Sequence, residues 1–252
     1  MSQERSGSYP RRAIRRLPSL NPKVSAPHSL VGVAPSVVAH TAPAPRLPWK
    51  RPLDVVLAGL GLLLGLPVLA LCIVLVRLDS PGPALFGQER VGRFGRPFTI
   101  WKLRSMRDGA ANDFHRAATS AWFRGEPLPN GYKPDGDPRV TRVGRFLRRT
   151  CLDELPQLFN VLKGEMSLVG PRPAIPYELA LYEPWYFHRL GVAPGITGLW
   201  QISGRDGLSA AAMMRLDVRY VRHASLGLDV RILARTAVII IRRLAGRTDG
   251  WH

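Results

Sequence analysis

An uncharged apolar run constrains this chain more than any other feature. It extends over 22 residues, from Val55 to Val76, and ends at Arg77. A helix of this length just spans the ~30 Å of a bilayer's hydrocarbon core. The run begins too far into the chain for a cleaved signal peptide, and no small-residue cleavage site follows it. The sequence therefore predicts a membrane helix, which we place at residues 50–78.

Pro67 lies near the middle of this run, where a proline removes one helical hydrogen bond and kinks the axis. Basic residues flank both ends, among them Lys50 and Arg51 before the run and Arg77 and Arg90 after it, so the positive-inside rule gives no orientation. Two arrangements fit equally well. One is a helix–break–helix that enters the membrane and returns to the same side. The other is a straight span whose kink is satisfied by neighbouring protein.

Gly61 and Gly65 form a pair of small residues one turn apart on this helix. Such a pair permits the close approach of a second helix and is compatible with a homodimer. It is weak evidence in a run rich in glycine and leucine, because such a run contains the pattern by chance.

The N-terminal segment, residues 1–49, differs in composition from the rest. It holds eight of the chain's 23 prolines and has seven basic residues against one acidic residue. Such a segment cannot bury enough apolar area to offset its ordering entropy, so it is predicted to be a disordered basic arm. The net charge of +18 indicates an acidic partner: nucleic acid, an anionic membrane or phosphorylated substrates. A nucleic-acid-binding protein with a membrane tether is one alternative, but the sequence contains no recognised nucleic-acid-binding module.

Residues 79–252 are soluble in character and are predicted to form a compact domain, so that the whole is an α+β, mainly helical fold with a few short strands and interfacial helices. Strands are predicted at 84–91 and 96–103, a long loop at 108–138, and helices at 140–149, 154–163, 174–188, 209–222 and 230–243. The last helix ends in an apolar patch too short to span a membrane, which suits either the interface or the core. Cys72 and Cys151 are too few for a disulfide scaffold or a cysteine-based zinc site.

A cationic helix is predicted from the arginines that recur at every third position between Arg139 and Arg148. On a helix this spacing spreads them over one broad face. Guanidinium groups on such a face suit phosphate, because they offer paired donors in a rigid fork. A solvated or membrane-surface helix explains the pattern equally well.

Two carboxylates, Asp153 and Glu154, follow this helix directly. Thr150 and Asp153 have the spacing of a capping box, and Pro156 belongs in a first turn, so a helix is predicted to start near Asp153. The surrounding positive charge keeps Asp153 ionised and able to attack phosphorus. Glu154 is suited to hold a divalent cation that neutralises a diphosphate. An ordinary helix cap with an ion pair is the alternative interpretation.

Three further patterns are compatible with phosphate or nucleotide chemistry. Arg172 lies between two prolines, which restrict it as a phosphate clamp requires. Glycine-rich turns within residues 191–205 are of the kind that closes around a nucleotide. Asp135 and Asp137 form an Asp-x-Asp, which some metal-dependent glycosyltransferases use to hold their cation. Its Pro/Gly-rich surroundings favour a turn, but a glycosyltransferase that releases UDP remains a second alternative.

Seven motifs occur in one order over residues 50–243. They are Lys50-Arg-Pro-Leu-Asp54, Gln88-Glu-Arg-Val-Gly92, Lys102-Leu-Arg-Ser-Met106, Asp137-Pro-Arg-Val-Thr-Arg142, Leu152-Asp-Glu-Leu-Pro-Gln157, Ser167-Leu-Val-Gly-Pro-Arg-Pro173 and Pro194-Gly-Ile-Thr-Gly-Leu-Trp-Gln201. Together they closely resemble the bacterial sugar transferases known as monotopic phosphoglycosyl transferases. In place of the additional membrane helices and domain that precede this core in larger members of that family, the sequence has the basic arm.

The resemblance implies transfer of a sugar 1-phosphate from a UDP-sugar to undecaprenyl phosphate, with release of UMP. This reaction initiates exopolysaccharide, capsule, O-antigen or glycoprotein glycan assembly. The resemblance further implies a covalent phosphosugar intermediate on Asp153, Mg²⁺ at Glu154, and a re-entrant helix broken at Pro67. The location implied is the bacterial inner membrane, with the catalytic domain on the cytoplasmic face, where UDP-sugars are made. No nucleic acid partner is expected.

The same resemblance assigns roles to residues outside the carboxylate pair. Four basic residues match positions linked to phosphate binding, and an aspartate near the C-terminus matches a functional position. These residues are Arg90, Lys102, Arg148, Arg172 and Asp229.

Overall fold

A computed structural model describes residues 47–107, 113–126, 137–204 and 207–245 of the chain. Residues 1–46, which make up nearly all of the predicted basic arm, lie outside these ranges. So do two parts of the predicted central loop, residues 108–112 and 127–136, the second of which contains Asp135.

Helices predominate in the described residues, and the strands form two small sheets, which confirms a mainly helical α+β fold. The helices are α1 (Lys50–Asp79), α2 (Asp113–Phe123), α3 (Arg142–Thr150), α4 (Gln157–Lys163), α5 (Ala210–His223) and α6 (Leu226–Leu244). The strands are β1 (Leu85–Val91), β2 (Pro97–Leu103), β3 (Ser167–Val169) and β4 (Gly195–Thr197). Short 3-10 helices lie at Arg93–Gly95, Leu152–Glu154, Pro176–Leu181 and Pro184–Gly191.

Helix α1 packs on the rest of the protein through one stripe of side chains at helical spacing. The buried residues of the stripe are Asp54, Ala58, Leu62, Leu69, Cys72 and Val76. The other faces carry large apolar side chains that remain exposed, such as Leu63 (68%) and Leu64 (70%). In the described part of the chain, α1 is the helix whose length and composition would allow it to cross a membrane. An exposed apolar surface of this extent marks an interaction site.

Pro67 does not divide α1, which corrects the predicted helix–break–helix. The helix is assigned as one α-helix of 30 residues with Pro67 inside it. An interior proline costs a helix about 3 kcal/mol, because it removes a hydrogen bond and crowds the preceding turn. Packing on both sides offsets that cost, since Leu62 before the proline and Leu69 after it are both buried.

The paired glycines of α1, Gly61 and Gly65, face leucines of the same chain. A Cβ at Gly61 would lie 3.3 Å from Leu158 Cδ1, and one at Gly65 would lie 3.7 Å from Leu155 Cδ2. The absence of side chains at these positions therefore brings α1 close to the segment that contains α4. Close intramolecular packing accounts for both glycines, and the homodimer stays a prediction.

The N-terminal end of α1 is attached to the domain by charged side chains. Lys50 Nζ donates to Asp229 Oδ2 at the start of α6, at 2.5 Å. The Arg51 guanidinium donates to carbonyls at the end of α4, including that of Leu162 at 2.7 Å. These contacts hold the beginning of the apolar helix against polar parts of the domain.

The C-terminal end of α1 is attached to the same domain. The Arg104 guanidinium, which follows β2, donates to the carbonyls of Ser80 at 2.7 Å and Pro81 at 2.5 Å. Asp79 Oδ2 in turn accepts a hydrogen bond from the Val143 amide in the first turn of α3, at 3.0 Å. Both ends of α1 are thus bound to one folded body.

Strands β1 and β2, which the sequence predicts at 84–91 and 96–103, form an antiparallel hairpin. Lys102 lies opposite Phe86, and Phe98 lies opposite Arg90. Asn160 of α4 is fully buried and joins this hairpin to the helix. Its Nδ2 donates to the Thr99 carbonyl at 2.7 Å, and its Oδ1 accepts from the Trp101 amide at 3.2 Å. The position of β2 relative to α4 is therefore fixed by side-chain hydrogen bonds.

Strands β3 and β4 pair in parallel through a very close approach of two backbones. A Cβ at Gly170 would lie 2.5 Å from the Ala193 carbonyl oxygen, and one at Gly195 would lie 2.1 Å from the Gly170 amide nitrogen. Neither position can hold a side chain without moving the backbone. Packing between strands therefore accounts for these two glycines of the motifs.

Four local predictions are corrected by the structure. Helix α2 lies within the predicted 108–138 loop, and the helix predicted at 174–188 is replaced by two 3-10 helices that begin at Pro176 and Pro184. Thr150 forms no capping box: it is the last residue of α3, and its hydroxyl donates to the Phe146 carbonyl at 2.9 Å. Helix α4 begins at Gln157, after the 3-10 helix that contains Asp153.

Helix α6 combines the two environments considered for it. Ile232 and Asp229 are buried in the domain, whereas Val238, Ile241 and Leu244 are exposed on the other side. One face is therefore a core face, and the other is an apolar surface.

We expect Arg104→Met to destabilise the attachment of α1. It keeps most of the aliphatic stem but removes the donors to the carbonyls at the end of α1. Each of the two hydrogen bonds from this charged group contributes about 1.5–3 kcal/mol, and 1 kcal/mol corresponds to about 2–4 °C in a chain of this size, so the unfolding midpoint in detergent should fall by about 6 °C or more. The control is Arg107→Met at an exposed position nearby, which should leave the midpoint unchanged. Equal midpoints for the two variants would contradict the attachment.

Candidate active site

The two candidate catalytic carboxylates lie in a short turn between α3 and α4. Cys151 ends α3 in the left-handed region, with φ 58° and ψ 15°, and redirects the chain into the 3-10 helix Leu152–Glu154. Non-glycine residues seldom adopt this conformation, and they persist in it when the surrounding structure holds them there. The turn leaves Asp153 buried, at 8% exposure, and Glu154 half-buried beside it.

Lys102 of β2 contacts the second carboxylate of this turn. Its Nζ donates to Glu154 Oε1 at 2.9 Å, and both side chains are about 30% exposed. A partly exposed ion pair of this kind is worth little to stability. It does place a cation and a carboxylate side by side at a point that solvent and substrate can reach.

Arg148 of α3 supplies a positive charge that interacts with Asp153. Its Nε donates to Ser105 Oγ at 2.8 Å, which fixes the guanidinium. Burial lowers the pKa of Arg148, while the negative charges of Asp153 and Asp137 oppose that shift. Arg148 and Asp153 therefore lie close enough for their charges to interact, as the sequence predicted.

Asp137 and Arg139 form the outer edge of this site. Arg139 Nη2 donates to Asp137 Oδ2 at 2.6 Å, and the Arg139 amide donates to Asp137 Oδ1 at 3.0 Å. The hydrogen bonds from Arg139 lower the pKa of Asp137 to about 2 despite partial burial, and the charge of Arg148 acts in the same direction. The hydrogen bond from the Arg139 amide to the Asp137 side chain is the turn-forming contact that the sequence favoured for Asp137.

The segment after β2 aligns the site with α3. Its Ser105 carbonyl accepts from the Thr141 amide at 3.2 Å, and the Arg107 amide donates to the Arg139 carbonyl at 2.9 Å. Gly144 in α3 lies directly on this segment, since a Cβ there would be 2.0 Å from the Ser105 carbonyl oxygen. Helix α3 and the strand that bears Lys102 are therefore held together by backbone contact.

Two other predicted phosphate-binding residues meet at a second cluster. Arg172 Nη1 donates to both oxygens of Glu178 at 3.0 Å, and Arg90 Nη1 donates to the Pro173 carbonyl at 3.0 Å. Glu178 is fully buried, which by itself would raise its pKa. The charges of Arg172, Arg90 and Arg189 outweigh that effect and lower the pKa.

The hairpin register relates the two clusters. Lys102 and Arg90 lie on the same face of the hairpin, because Lys102 pairs with Phe86 and Arg90 pairs with Phe98. Positions 86 and 90 on β1 are four residues apart, or about 13 Å along a strand. The structure therefore brings Lys102 and Arg148 to the carboxylate pair and places Arg90 and Arg172 together farther along the same surface.

Asp229 lies in neither cluster. It is buried at the start of α6, where it pairs with Lys50 and accepts a hydrogen bond from the Tyr220 hydroxyl at 2.7 Å. These contacts join α6 to the first turn of α1 and to α5. A functional role for Asp229 stays a prediction, and its contacts in the structure are those of a residue that joins helices.

The carboxylates of Asp153 and Glu154 suit Mg²⁺ only if substrate phosphates supply further ligands. Within the described ranges, no group of three or more His, Cys, Asp or Glu side chains is arranged to hold a metal ion. Mg²⁺ commonly takes one or two carboxylates and completes its shell with water and substrate phosphates. Glu154, half-buried and adjacent to Asp153, fits such a site.

Sequence reasoning missed Ser105 and Glu178, and it placed Arg139 on the cationic helix, which instead begins at Arg142. Ser105 orients Arg148, Arg139 holds Asp137, and Glu178 binds Arg172. Ser105 lies in the same sequence motif as Lys102, Lys102-Leu-Arg-Ser-Met106, and its place in that motif is the signal that could have identified it. Glu178 lies within residues 174–188, which were wrongly predicted as one helix. No pattern in the sequence connects it with Arg172.

A comparison with protein families identifies the class of protein to which these features belong. Residues 45–243 match the family described as bacterial sugar transferase. This match covers both clusters and α1, and the chain belongs to that family.

Individual relatives agree with this assignment. The undecaprenyl-phosphate galactose phosphotransferase of Salmonella typhimurium is 42% identical over 202 residues, which cover 77% of this chain and 40% of the relative. The UDP-glucose:undecaprenyl-phosphate glucose-1-phosphate transferase of Caulobacter vibrioides is 43% identical over 195 residues, 74% of this chain and 67% of the relative. The exopolysaccharide production protein ExoY of Rhizobium meliloti is 42% identical over 190 residues, 74% of this chain and 83% of the relative. The chain thus spans well under half the length of the Salmonella relative.

We expect Gly144→Ala to impair transferase activity through displacement of α3. The added methyl group would meet the Ser105 backbone, which cannot rotate away, so α3 and its Arg148 must shift. Displacing a catalytic group by about 1 Å costs about a hundredfold in rate, and we expect a loss of that order. Initial rates with saturating substrates measure it.

The matched control is Gly227→Ala in α6, where an added Cβ meets nothing within 4 Å. It should retain full activity. If Gly144→Ala also retained full activity, contact between α3 and the Ser105 segment would not position Arg148.

Proposed function

We propose that this protein transfers a sugar 1-phosphate from a UDP-sugar to a polyprenyl phosphate, undecaprenyl phosphate in bacteria, and releases UMP. One observation carries the proposal: Asp153 is held buried beside Arg148, and its neighbour Glu154 contacts Lys102. The relatives support it, since those of Salmonella typhimurium and Caulobacter vibrioides are named as transferases that act with undecaprenyl phosphate.

The first step forms a covalent bond between enzyme and donor. A carboxylate oxygen of Asp153 attacks the β-phosphorus, which carries the sugar. The bond from that phosphorus to the oxygen bridging to the α-phosphate breaks, and UMP leaves with the bonding electrons. Asp153 then bears a sugar phosphate as an acyl phosphate. Splitting one demanding transfer into two steps is the general advantage of covalent catalysis.

The second step regenerates the free carboxylate of Asp153. An oxygen of the polyprenyl phosphate attacks the same phosphorus and displaces the Asp153 oxygen, which leaves a polyprenyl diphosphate sugar and free enzyme. Arg148 and Lys102 stabilise the negative charge that develops around phosphorus in both steps, as positioned cations do in phosphoryl transfer. Mg²⁺ bound at Glu154 would neutralise diphosphate oxygens.

The cluster of Arg90, Arg172 and Glu178 is suited to bind the part of the UDP-sugar that lies farther from the reacting phosphorus. A UDP-sugar carries two phosphates and a uridine, which extend well beyond a single phosphorus. Arg90 lies about 13 Å along the hairpin from Lys102 on the same face, which suits contacts to the more distant part of the donor. Arg172 acts on the same buried Glu178 as Arg90 does. Glu178 holds Arg172 in a fixed orientation for such a contact.

The attachment of α1 favours entry into one leaflet over a straight span. A continuous helix of 30 residues is about 45 Å long, and a span would separate its ends by ~30 Å of hydrocarbon. Both ends of α1 are bound to the same domain, and Arg51 and Asp54 lie on its contact side. We therefore propose that α1 inserts its exposed apolar faces from one side, with the domain on the cytoplasmic face, where UDP-sugars are made.

The proposed product begins a surface polymer. Sugar diphosphate lipids of this kind are extended into exopolysaccharide, capsule, O-antigen or glycoprotein glycans. The similarity to the ExoY protein, named for exopolysaccharide production, favours the first of these.

The reaction is tested by identifying the nucleotide that the purified protein releases. With Mg²⁺ and a panel of UDP-sugars, we expect UMP, with sustained turnover only when undecaprenyl phosphate is present. Asp153→Asn should lower turnover by about a thousandfold or more, because the amide cannot act as the nucleophile.

The Asp-x-Asp alternative predicts a different result. A glycosyltransferase that used Asp137 would release UDP and would tolerate Asp153→Asn. Release of UDP by the native protein, or full turnover by Asp153→Asn, would therefore overturn the proposed function.

The membrane arrangement is tested by charging the exposed face of α1. Leu63→Asp with Leu64→Asp places two carboxylates on that face, at about 2.5–3.5 kcal/mol each if it enters lipid. We expect the variant to move to the soluble fraction in high salt, which screens the +18 charge of the chain. Leu63→Ala with Leu64→Ala keeps the face apolar and should remain in the membrane fraction. If both variants sediment alike, α1 does not carry the membrane contact.

A further inference from the structure

A cavity of about 170 Å³ lies directly beside Glu154. Its apolar lining comes from the turn before α4, α4 itself, the segment from β4 to Ile202, and α6. These residues are Leu155, Leu158, Ile196, Ile202, Ile239 and Ile240. The proposed chemistry gives no role to this cavity, since its walls present hydrocarbon rather than phosphate-binding groups.

Three polar side chains of the wall have hydrogen-bond partners within the protein, whereas Gln201 Oε1 is a buried acceptor without one among the described residues. Thr197 Oγ1 and Thr236 Oγ1 lie 2.7 Å apart, and Thr236 donates to the Ile232 carbonyl at 2.8 Å. Gln201 Nε2 donates to the Ile196 carbonyl at 2.9 Å. The hydroxyl-rich sugar and the uridine of the donor would have to give up water for few hydrogen bonds here, which is unfavourable.

The cavity shares its walls with the two helices that carry the apolar surface of the protein. Leu155 and Leu158 line it and also lie beside α1 at Gly65 and Gly61. Helix α6, which contributes Ile239, exposes Val238 and Ile241 on its outer side. The apolar wall of the cavity therefore adjoins both helices, and it extends to Glu154.

We propose that this cavity binds the phosphate-proximal isoprene of the lipid acceptor and so orients the acceptor phosphate toward Asp153. This inference rests on the proposed function, whose acceptor joins a phosphate to a branched hydrocarbon chain. An apolar cavity of ~150 Å³ holds a six-carbon ring, so the volume here suits about one five-carbon isoprene unit. A phosphate attached to that unit lies next to Glu154 and Lys102.

The test separates the two half-reactions with a variant of the wall. Ile239→Trp fills the cavity, and Val238→Trp on the exposed side of the same helix is the matched control. Loss of about two buried methylene contacts corresponds to about tenfold in affinity, so we expect the KM for undecaprenyl phosphate to rise by about tenfold or more in Ile239→Trp. The stoichiometric UMP burst from donor alone should equal that of the native protein. Val238→Trp should match the native protein in both.

Two outcomes would overturn the proposal. One is an unchanged KM for the acceptor in Ile239→Trp, and the other is parallel loss of the UMP burst, which would assign the cavity to the donor. If Ile239→Trp fails to fold, Ile239→Phe is tested in the same way with a smaller expected rise.

A second measurement needs neither a variant nor turnover. Cys151 lines the cavity and is half-exposed, whereas Cys72 is buried and serves as an internal reference. We expect undecaprenyl phosphate to slow maleimide labelling of Cys151 in the native protein, and inorganic phosphate to have no effect. Equal protection by dodecyl phosphate would show a general alkyl-chain site and would overturn the assignment to isoprene.

These measurements distinguish failure of the inference from failure of the proposed function. Absence of UMP release by the native protein with every donor contradicts the function. Protection of Cys151 by undecaprenyl phosphate is read independently of that release, and its absence contradicts the inference.

Discussion

The structure depends on the attachment of a long apolar helix to a catalytic domain at both of its ends. Lys50 pairs with Asp229 at the beginning of α1, and Arg104 holds the carbonyls of Ser80 and Pro81 at its end. Between them, one stripe of α1 packs on α3, α4 and the hairpin. A helix held in this way cannot move away from the domain, so under the proposed function the site that a soluble nucleotide sugar must reach stays beside the membrane that holds the acceptor.

The same attachment explains the form of the active site. Arg104 and Ser105 are neighbours: the first holds the end of α1, and the second orients Arg148. Asp79 of α1 accepts from the first turn of α3, the helix that delivers Arg148. The elements that bring cations to Asp153 and Glu154 are therefore also those that hold the apolar helix, and a disturbance of one reaches the other over a few residues.

Sequence patterns predicted the parts of this arrangement that depend on local order. The sequence of residues 84–103 predicted both strands of the hairpin, and the cationic helix followed by two carboxylates indicated where Arg148 meets Asp153. Tertiary contacts decided the rest. Packing around Leu62 and Leu69 keeps α1 continuous through Pro67, where the backbone alone predicts a break. The register of the hairpin separates Arg90 from Lys102. Arg172 pairs with the buried Glu178, which is not part of any of the sequence motifs.

The central claim is that Asp153 becomes covalently bound to the sugar phosphate, and mass spectrometry tests it most directly. Native protein is mixed with its UDP-sugar in the absence of acceptor, quenched with acid and digested. The account predicts a peptide that contains Asp153 and is heavier by one sugar phosphate, in an amount equal to the UMP released, and that disappears when undecaprenyl phosphate is added before the quench. Release of UMP without such a peptide, or a sugar phosphate on another residue, would contradict it.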